Sequence, residues 1–500
     1  MATGTRMSAR ALLSMTGDLG AEAVAYTELA GRIRTLISDG RIPVDTRLPS
    51  ERELASLARR SRTTIVATYQ ALRDSGHLVS RQGSGSRATL PHLADVSKRP
   101  PRAVNFAGSI PPPVDGLREL IAETTADLPD ITTFPGFDLV GHDALRHALA
   151  ERYTQRGLPT SRDQIIVTTG GQHAIALTAH TLVSRGDVAL VESPTYPHAY
   201  EALQRAGARL VASPVTTDGW DVEHLLATIR QTRPVVAYLI PDFHNPTGAS
   251  MAPEDRARLA HTARAAGTTL VIDEATVDLN IDRPWDDGPF ARHSARDAWS
   301  DGSGVITLGS LSKSIWSGLR IGWIRADEAV VRRLVQARPA GDLGTPPIEQ
   351  LIGERVIRRF DELVLGRQRL LHQHRAVLSE ALTRRLPQWA TPWPDGGLSM
   401  WVRLDRPGSS ALTSICRARG LSLIAGPKFS IDGSLERHLR IPFTSPVEEL
   451  DAGVALLAEA WNQLSTGTLA PAIGREAASV IQEVPSAGIA PQRLSRATSR

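Results

Sequence analysis

The chain has 500 residues, more than one hydrophobic core organises, so two or three domains are expected. Its 57 Lys and Arg against 53 Asp and Glu leave too small an excess for net charge alone to argue for nucleic acid. A single cysteine, Cys416, excludes a disulfide framework and a cysteine-rich zinc site; with no signal peptide or bilayer-spanning apolar run, a cytoplasmic protein off the membrane is expected.

Residues 1–22 lack sustained periodicity and read as a flexible tail. From Tyr26 the residues Leu29, Ile33, Leu36 and Ile37 form an apolar stripe at helical spacing, ended by Asp39-Gly40. Arg47-Leu48-Pro49-Ser50-Glu51-Arg52-Glu53-Leu54 reads as a turn and a second helix start, with Ser50 as N-cap and Glu53 completing a capping box. After Arg59-Arg60-Ser61-Arg62-Thr63-Thr64, a third helix carries Ile65, Tyr69 and Leu72. Two short strands then flank Arg81-Gln82-Gly83-Ser84-Gly85. Three helices and a hairpin, over residues 23–90, make a winged helix-turn-helix.

A run such as Arg59-Arg60-Ser61-Arg62 is more often a solvated face than a contact surface. Here it opens the helix placed to enter a major groove, where arginines and hydroxyls reach phosphates and Arg62 or Thr63 reaches base edges. The segment resembles the GntR-type DNA-binding domain, most specifically in "RLPSERELA" and "SRTT". That resemblance implies double-stranded DNA as a partner and Arg52, Ser61, Arg62, Thr63 and Gly83 as DNA-facing positions. Val66 stands where many members carry another arginine, so base preference does not transfer.

Residues 91–104, with Pro91, Pro100 and Pro101, read as a linker. Residues 105–465 alternate strand-like and helical runs, the pattern of an α/β body on a mainly parallel sheet. Gly170-Gly171-Gln172 opens a helix after Ile165–Thr169, where small residues let N–H groups meet a phosphate, although a double glycine is more often only a tight turn. Tyr196 ends another strand and suits stacking on a ring, though packing is the default for one aromatic. Asn245-Pro246-Thr247-Gly248 follows a third strand; Asn245 suits a ring hydroxyl, and the bond after it is a candidate for cis. Asp273 ends a fourth strand, where a carboxylate either caps a helix or pairs with a protonated pyridine.

The run Ser310-Leu311-Ser312-Lys313 follows the apolar stretch Val305–Leu308, with Arg320 beyond. A lysine at the end of a buried strand is costly without a partner or a covalent task, and Ser310, Ser312 and Arg320 are donors for a phosphate. Together these residues suit a lysine Schiff base with pyridoxal 5'-phosphate (PLP). Arg440, in the apolar strand Leu439–Phe443, needs an anion. No metal site is read. Residues 466–500, rich in Ala, Ser, Gly and Pro, read as a disordered tail.

Taken in order, these motifs resemble the fold-type I PLP enzymes of the aspartate aminotransferase kind. The resemblance implies an aminotransferase-like domain with a small C-terminal subdomain. It also implies Lys313 as the Schiff-base residue, Asp273 on the pyridine nitrogen, Asn245 on the ring oxygen and Tyr196 on the ring face. Gly171, Gln172, Ser310 and Arg320 then hold the phosphate, and Arg440 takes a substrate or effector carboxylate. The family's tyrosine two or three residues after the aspartate is missing, since Glu274-Ala275-Thr276-Val277 follows Asp273. A GntR-like head joined to such a body resembles the MocR subfamily of bacterial regulators. That resemblance implies a homodimer sensing an amine, an amino acid or PLP itself. The alternative is an ordinary PLP-dependent aminotransferase tethered to DNA by its head.

Overall fold

The structure, a computed structural model, describes residues 6–16, 26–38, 40–81, 85–90, 104–125, 133, 136–282, 288–296 and 304–466. All of the expected linker 91–104 except Val104, which begins a strand, and most of the expected C-terminal tail lie outside the described residues.

The head is built on α1 (Ala9–Thr16), α2 (Tyr26–Ser38), α3 (Glu51–Ala58) and α4 (Arg62–Asp74), followed by the antiparallel hairpin β1 (Leu78–Arg81) and β2 (Gly85–Ala88). The helical stripe of α2 is buried as its spacing requires: Leu29, Ile33, Leu36 and Ile37 meet Leu54, Ile65, Tyr69 and Leu72 in one small core. The expectation of a flexible tail over 1–22 fails at 9–16. Those residues form α1, because Ala9 and Leu12 share one face and insert into the same core. Ser50 caps α3 by accepting from the Glu53 N–H at 3.2 Å, worth about 1 kcal/mol. The Glu53 carboxylate lies 3.8 Å from Arg6 rather than closing a capping box.

The body holds an eight-stranded sheet in the order β4 (Ile165–Thr168), β11 (Gly322–Arg325), β10 (Val305–Ser310), β9 (Thr269–Asp273), β8 (Val236–Leu239), β5 (Val188–Ser193), β6 (Arg209–Thr216) and β7 (Gly219–Trp220). Its centre, from β10 to β6, is parallel; β11 and β7 run antiparallel to their neighbours. Near-continuous apolar strands such as Val236–Leu239 are buried on both faces, as helices on both sides demand. The carboxyl ends of the parallel strands therefore form one edge, where loops carry the polar residues.

A smaller subdomain packs β12 (Ser399–Arg403), β15 (His438–Pro442) and β14 (Ile424–Ala425) against two helices, Phe360–Arg385 and Val447–Thr466. The short strand β3 (Val104–Asn105), where the description of the body begins, pairs with β13 (Leu421–Ser422) and sends Phe106 into this core. The head rests on the same subdomain: Gly31 of α2 leaves room for Ser414, and Arg41 donates to Ser410 at 3.2 Å.

Candidate functional site

The β10 strand ends at Ser310, whose Oγ accepts from the Ser312 N–H at 3.1 Å and turns the chain into the short helix Leu311–Ser314. That turn carries Lys313 back toward the edge of the sheet, where its Nζ donates to the Ser109 carbonyl at 2.7 Å. Desolvation first, then the charges of Arg440 and Arg320, lower the Lys313 pKa to about 8 against the opposing pull of Asp273. The amine is thus much closer to its neutral, nucleophilic form than an exposed lysine is.

Asp273 ends β9 beside Leu308 of β10. Its Oδ2 accepts from the Tyr238 phenol at 2.6 Å and its Oδ1 from the Ala275 N–H at 2.9 Å. Burial pushes its pKa up, and these two bonds oppose the rise. Asp273 caps no helix: its Oδ1 holds the turn that follows β9, and both oxygens retain lone pairs for a pyridine nitrogen.

Asn245 follows the third strand and precedes a cis bond to Pro246. Its Oδ1 accepts from Arg440 at 3.2 Å, and the other terminal nitrogen of Arg440 donates to the Ala107 carbonyl at 2.7 Å. Arg440 is buried, its guanidinium lies 5.0 Å from the centre of the Phe429 ring, and burial lowers its pKa to about 10. Among the described residues no carboxylate pairs with it, and its Nε has no partner. A cation so placed calls for an incoming anion.

The glycine turn at 170–171 lies against Ser310 and Arg320. A Cβ on Gly171 would stand 3.4 Å from the Ser310 Cβ, and one on Gly170 would stand 2.6 Å from the Arg320 guanidinium. Arg320, itself in a left-handed conformation, donates to the Thr169 carbonyl at 2.9 Å. The helix Gly171–Leu182 starts here, so a positive helix end, a hydroxyl and a guanidinium converge. The Gln172 side chain points elsewhere, to the His198 carbonyl at 3.3 Å, leaving its main chain at the helix start. Tyr196 begins the neighbouring helical turn, edge-on to His198 at 5.3 Å.

An amine, a buried carboxylate, a side-chain amide and an anion-favouring corner form a set of groups that PLP fits. Three features had no clear signal in the sequence. Tyr238 reads as a core residue of an apolar strand. The carbonyls of Ala107 and Ser109 carry no side-chain signature. Thr276, where the family's tyrosine is missing, turns its Oγ1 to the Asp242 carbonyl at 3.1 Å.

In the head, Ser61 caps α4, its Oγ accepting from the Thr64 N–H at 3.0 Å. Arg52, Ser61, Arg62 and Thr63 are all exposed. Gly83 and Gln82 of the wing lie outside the described residues.

Residues 116–457 match the family model "Aminotransferase class I and II", and residues 25–87 match "Bacterial regulatory proteins, gntR family". The chain is 29% identical over 384 residues to the 2-aminoadipate transaminase of Thermus thermophilus, covering 75% of this chain and 93% of that one. It is 28% identical over 430 residues to the probable rhizopine catabolism regulatory protein MocR of Rhizobium meliloti, covering 78% and 83%. Among solved structures, LysN, an α-aminoadipate aminotransferase of Thermus thermophilus complexed with N-(5'-phosphopyridoxyl)-L-leucine, matches with a TM-score of 0.66 at 27% identity over 73% of this chain and 94% of that one.

Proposed function

The chain belongs to the aminotransferase class I and II family and carries a gntR-family head, and from that premise we propose that it is a MocR-type, PLP-dependent transcriptional regulator. The head binds double-stranded DNA, and the body responds to a small amine or amino acid. The carrying observation is that Lys313, Asp273 and Arg440 converge on one space in a body physically seated against the head. Bound PLP supplies an aldehyde that condenses with amines and a ring that withdraws electrons.

The chain's own residues divide the work. Lys313 provides the amine, Asp273 holds the ring nitrogen and Asn245 the ring oxygen. Tyr196 covers the ring face. Gly171, Gln172, Ser310 and Arg320 anchor the phosphate. Arg440 selects ligands that carry a carboxylate. In the head, Arg52, Ser61, Arg62, Thr63 and Gly83 face DNA. Two copies pair as a homodimer, which matches the two half-sites that helix-turn-helix proteins commonly read. Among the described residues no helix is long and apolar enough to cross a membrane.

An effector shifts DNA affinity only through a difference in its own affinity for the two states of the protein, and the coupling is reciprocal. The test is DNA binding by PLP-loaded protein, PLP-free protein, and loaded protein with a panel of amines and amino acids. A change in affinity across the three supports the regulator. Equal affinity in all three overturns effector control, and no specific binding in any moves the function to an aminotransferase.

A further inference from the structure

Tyr238 belongs to no motif in the chain, yet it touches the most consequential carboxylate in the body. It lies in β8 opposite Val271 of β9, the residue 1% exposed. Side chains on one strand face recur every second residue, so Asp273 stands on the same face as Val271, about 7 Å further along. That is the reach of a tyrosine side chain, and the phenol ends 2.6 Å from Asp273 Oδ2.

Resting on the PLP reading above, we propose that Tyr238 is a positioning residue for the cofactor. Its hydroxyl donates one hydrogen bond that fixes the orientation of the Asp273 carboxylate and keeps it ionised for the ring nitrogen. The Ala275 N–H fixes the second oxygen. Held at both oxygens, the carboxylate cannot rotate, and each oxygen still has a lone pair to offer. The phenol is a dependable donor here: burial, then the charge of Asp273, push its own pKa well above the usual range.

Several other groups act on this pair. Glu192 of β5, itself bonded to the Trp220 indole, the Ile240 N–H and His244, adds negative charge and favours protonation of Asp273. Tyr196 bears on both members, and Lys313 acts on Asp273 in the opposite sense. The Tyr238 bond offsets the desolvation and the Glu192 charge. Without it, Asp273 takes up a proton at a higher pH.

The test compares wild type, Tyr238→Phe and Asp273→Asn by PLP titration across pH, with thermal melting as the control for folding. Tyr238→Phe keeps the ring and removes only the hydroxyl. The expected result is an unchanged fold, PLP binding weakened about tenfold to a hundredfold, and an acid fall-off in affinity that begins at higher pH than in wild type. Asp273→Asn is expected to bind weakly and to lose the part of the acid fall-off that Tyr238→Phe shifts. A Tyr238→Phe protein with wild-type affinity and the wild-type acid limb overturns the proposal and leaves Tyr238 as packing. If Tyr238→Phe does not fold, a difluorotyrosine at position 238 makes the same test. Its more acidic phenol is expected to move the acid limb to lower pH, and no movement overturns the proposal. Failure of wild type to bind PLP at all sinks the cofactor reading instead, a separate outcome visible in the first titration.

Discussion

Lys313 donates its Nζ proton to the backbone carbonyl of Ser109, 2.7 Å away and 204 positions earlier in the chain. Ser109 lies just beyond the strand β3 and Phe106, which is locked into the small-subdomain core. Arg440 reaches the same segment at Ala107. The two cations assigned to ligands are thus both tied to the stretch that follows the linker from the head. Under the proposed function, capture of Lys313 and Arg440 by ligands takes two donors away from the segment 107–109.

The Lys313 amine is expected to show its lowered pKa in the kinetics of PLP capture. Only the neutral amine is nucleophilic, so below its pKa the rate rises about tenfold per pH unit. With the pKa lowered to about 8, the rise levels off above that value. An unperturbed lysine keeps rising to about pH 10. Stopped-flow absorbance on PLP-free protein measures the profile, and a rise that continues past pH 9 contradicts the assignment. Lys313→Ala is expected to lose covalent attachment after borohydride reduction while its head melts as in wild type.

Arg440→Gln separates cofactor from effector. Its present acceptors, Asn245 Oδ1 and the Ala107 carbonyl, are neutral, so the guanidinium is available to a carboxylate without breaking an ion pair. A charge-assisted hydrogen bond is worth about 1.5–3 kcal/mol. Amino acids are therefore expected to bind roughly tenfold to a hundredfold more weakly to the variant, while the corresponding decarboxylated amines and PLP itself are little affected. Spectral titration of loaded protein with both ligand classes checks this. Equal losses for amines and amino acids count against the role.

Much of this was legible because the informative residues sit where backbone geometry forces them. Strand ends present Asp273 and Ser310 at one edge of a parallel sheet, and the glycine turn before residue 171 must open a helix. Motif order thus conveyed the body's layout and the convergence of the site. The segment Ala9–Thr16 was missed because eight residues give too little periodicity to show a buried face. Tyr238 was hidden for another reason: in an apolar strand a phenol looks like core, and only the register with β9 brings it to Asp273. The carbonyls of Ala107 and Ser109 are invisible in principle, since every residue carries one.

In the head, neighbouring residues are expected to fail differently. Ser61 caps α4, so Ser61→Ala costs about 1 kcal/mol of stability and lowers the melting temperature of the head. Arg62 is exposed on the first turn, so Arg62→Ala leaves the melt unchanged. DNA binding by Arg62→Ala falls by about 1–3 kcal/mol if the side chain reads a base, and falls less, uniformly across sequences, if it meets phosphate. Binding measured on several sequences at two salt concentrations distinguishes the two contacts. A melt depressed by Arg62→Ala counts against this division.

Thr276 marks where the body departs from the enzymes it resembles, and replacing it tests whether that departure limits catalysis. Its Oγ1 donates to the Asp242 carbonyl at 3.1 Å, and the Asp242 carboxylate is gripped by the buried Arg256 at 3.0 and 2.6 Å. The threonine therefore braces the segment that leads into Asn245 instead of presenting a donor to the ring oxygen. Under the proposed function, Asn245 is the residue assigned to that oxygen. A fixed donor aimed at developing charge lowers a barrier, and each 1.36 kcal/mol is a factor of about ten in rate. Thr276→Tyr is expected to speed the half-reaction with amino acids at least about tenfold, and to lose stability as the brace to Asp242 goes. Thr276→Val loses the brace without gaining the phenol, so it is expected to share the stability loss and show no rate gain. Conversion of bound PLP to its amine form, followed by absorbance, reads the rate. No acceleration in a folded Thr276→Tyr protein means that the missing phenol is not what restrains transamination.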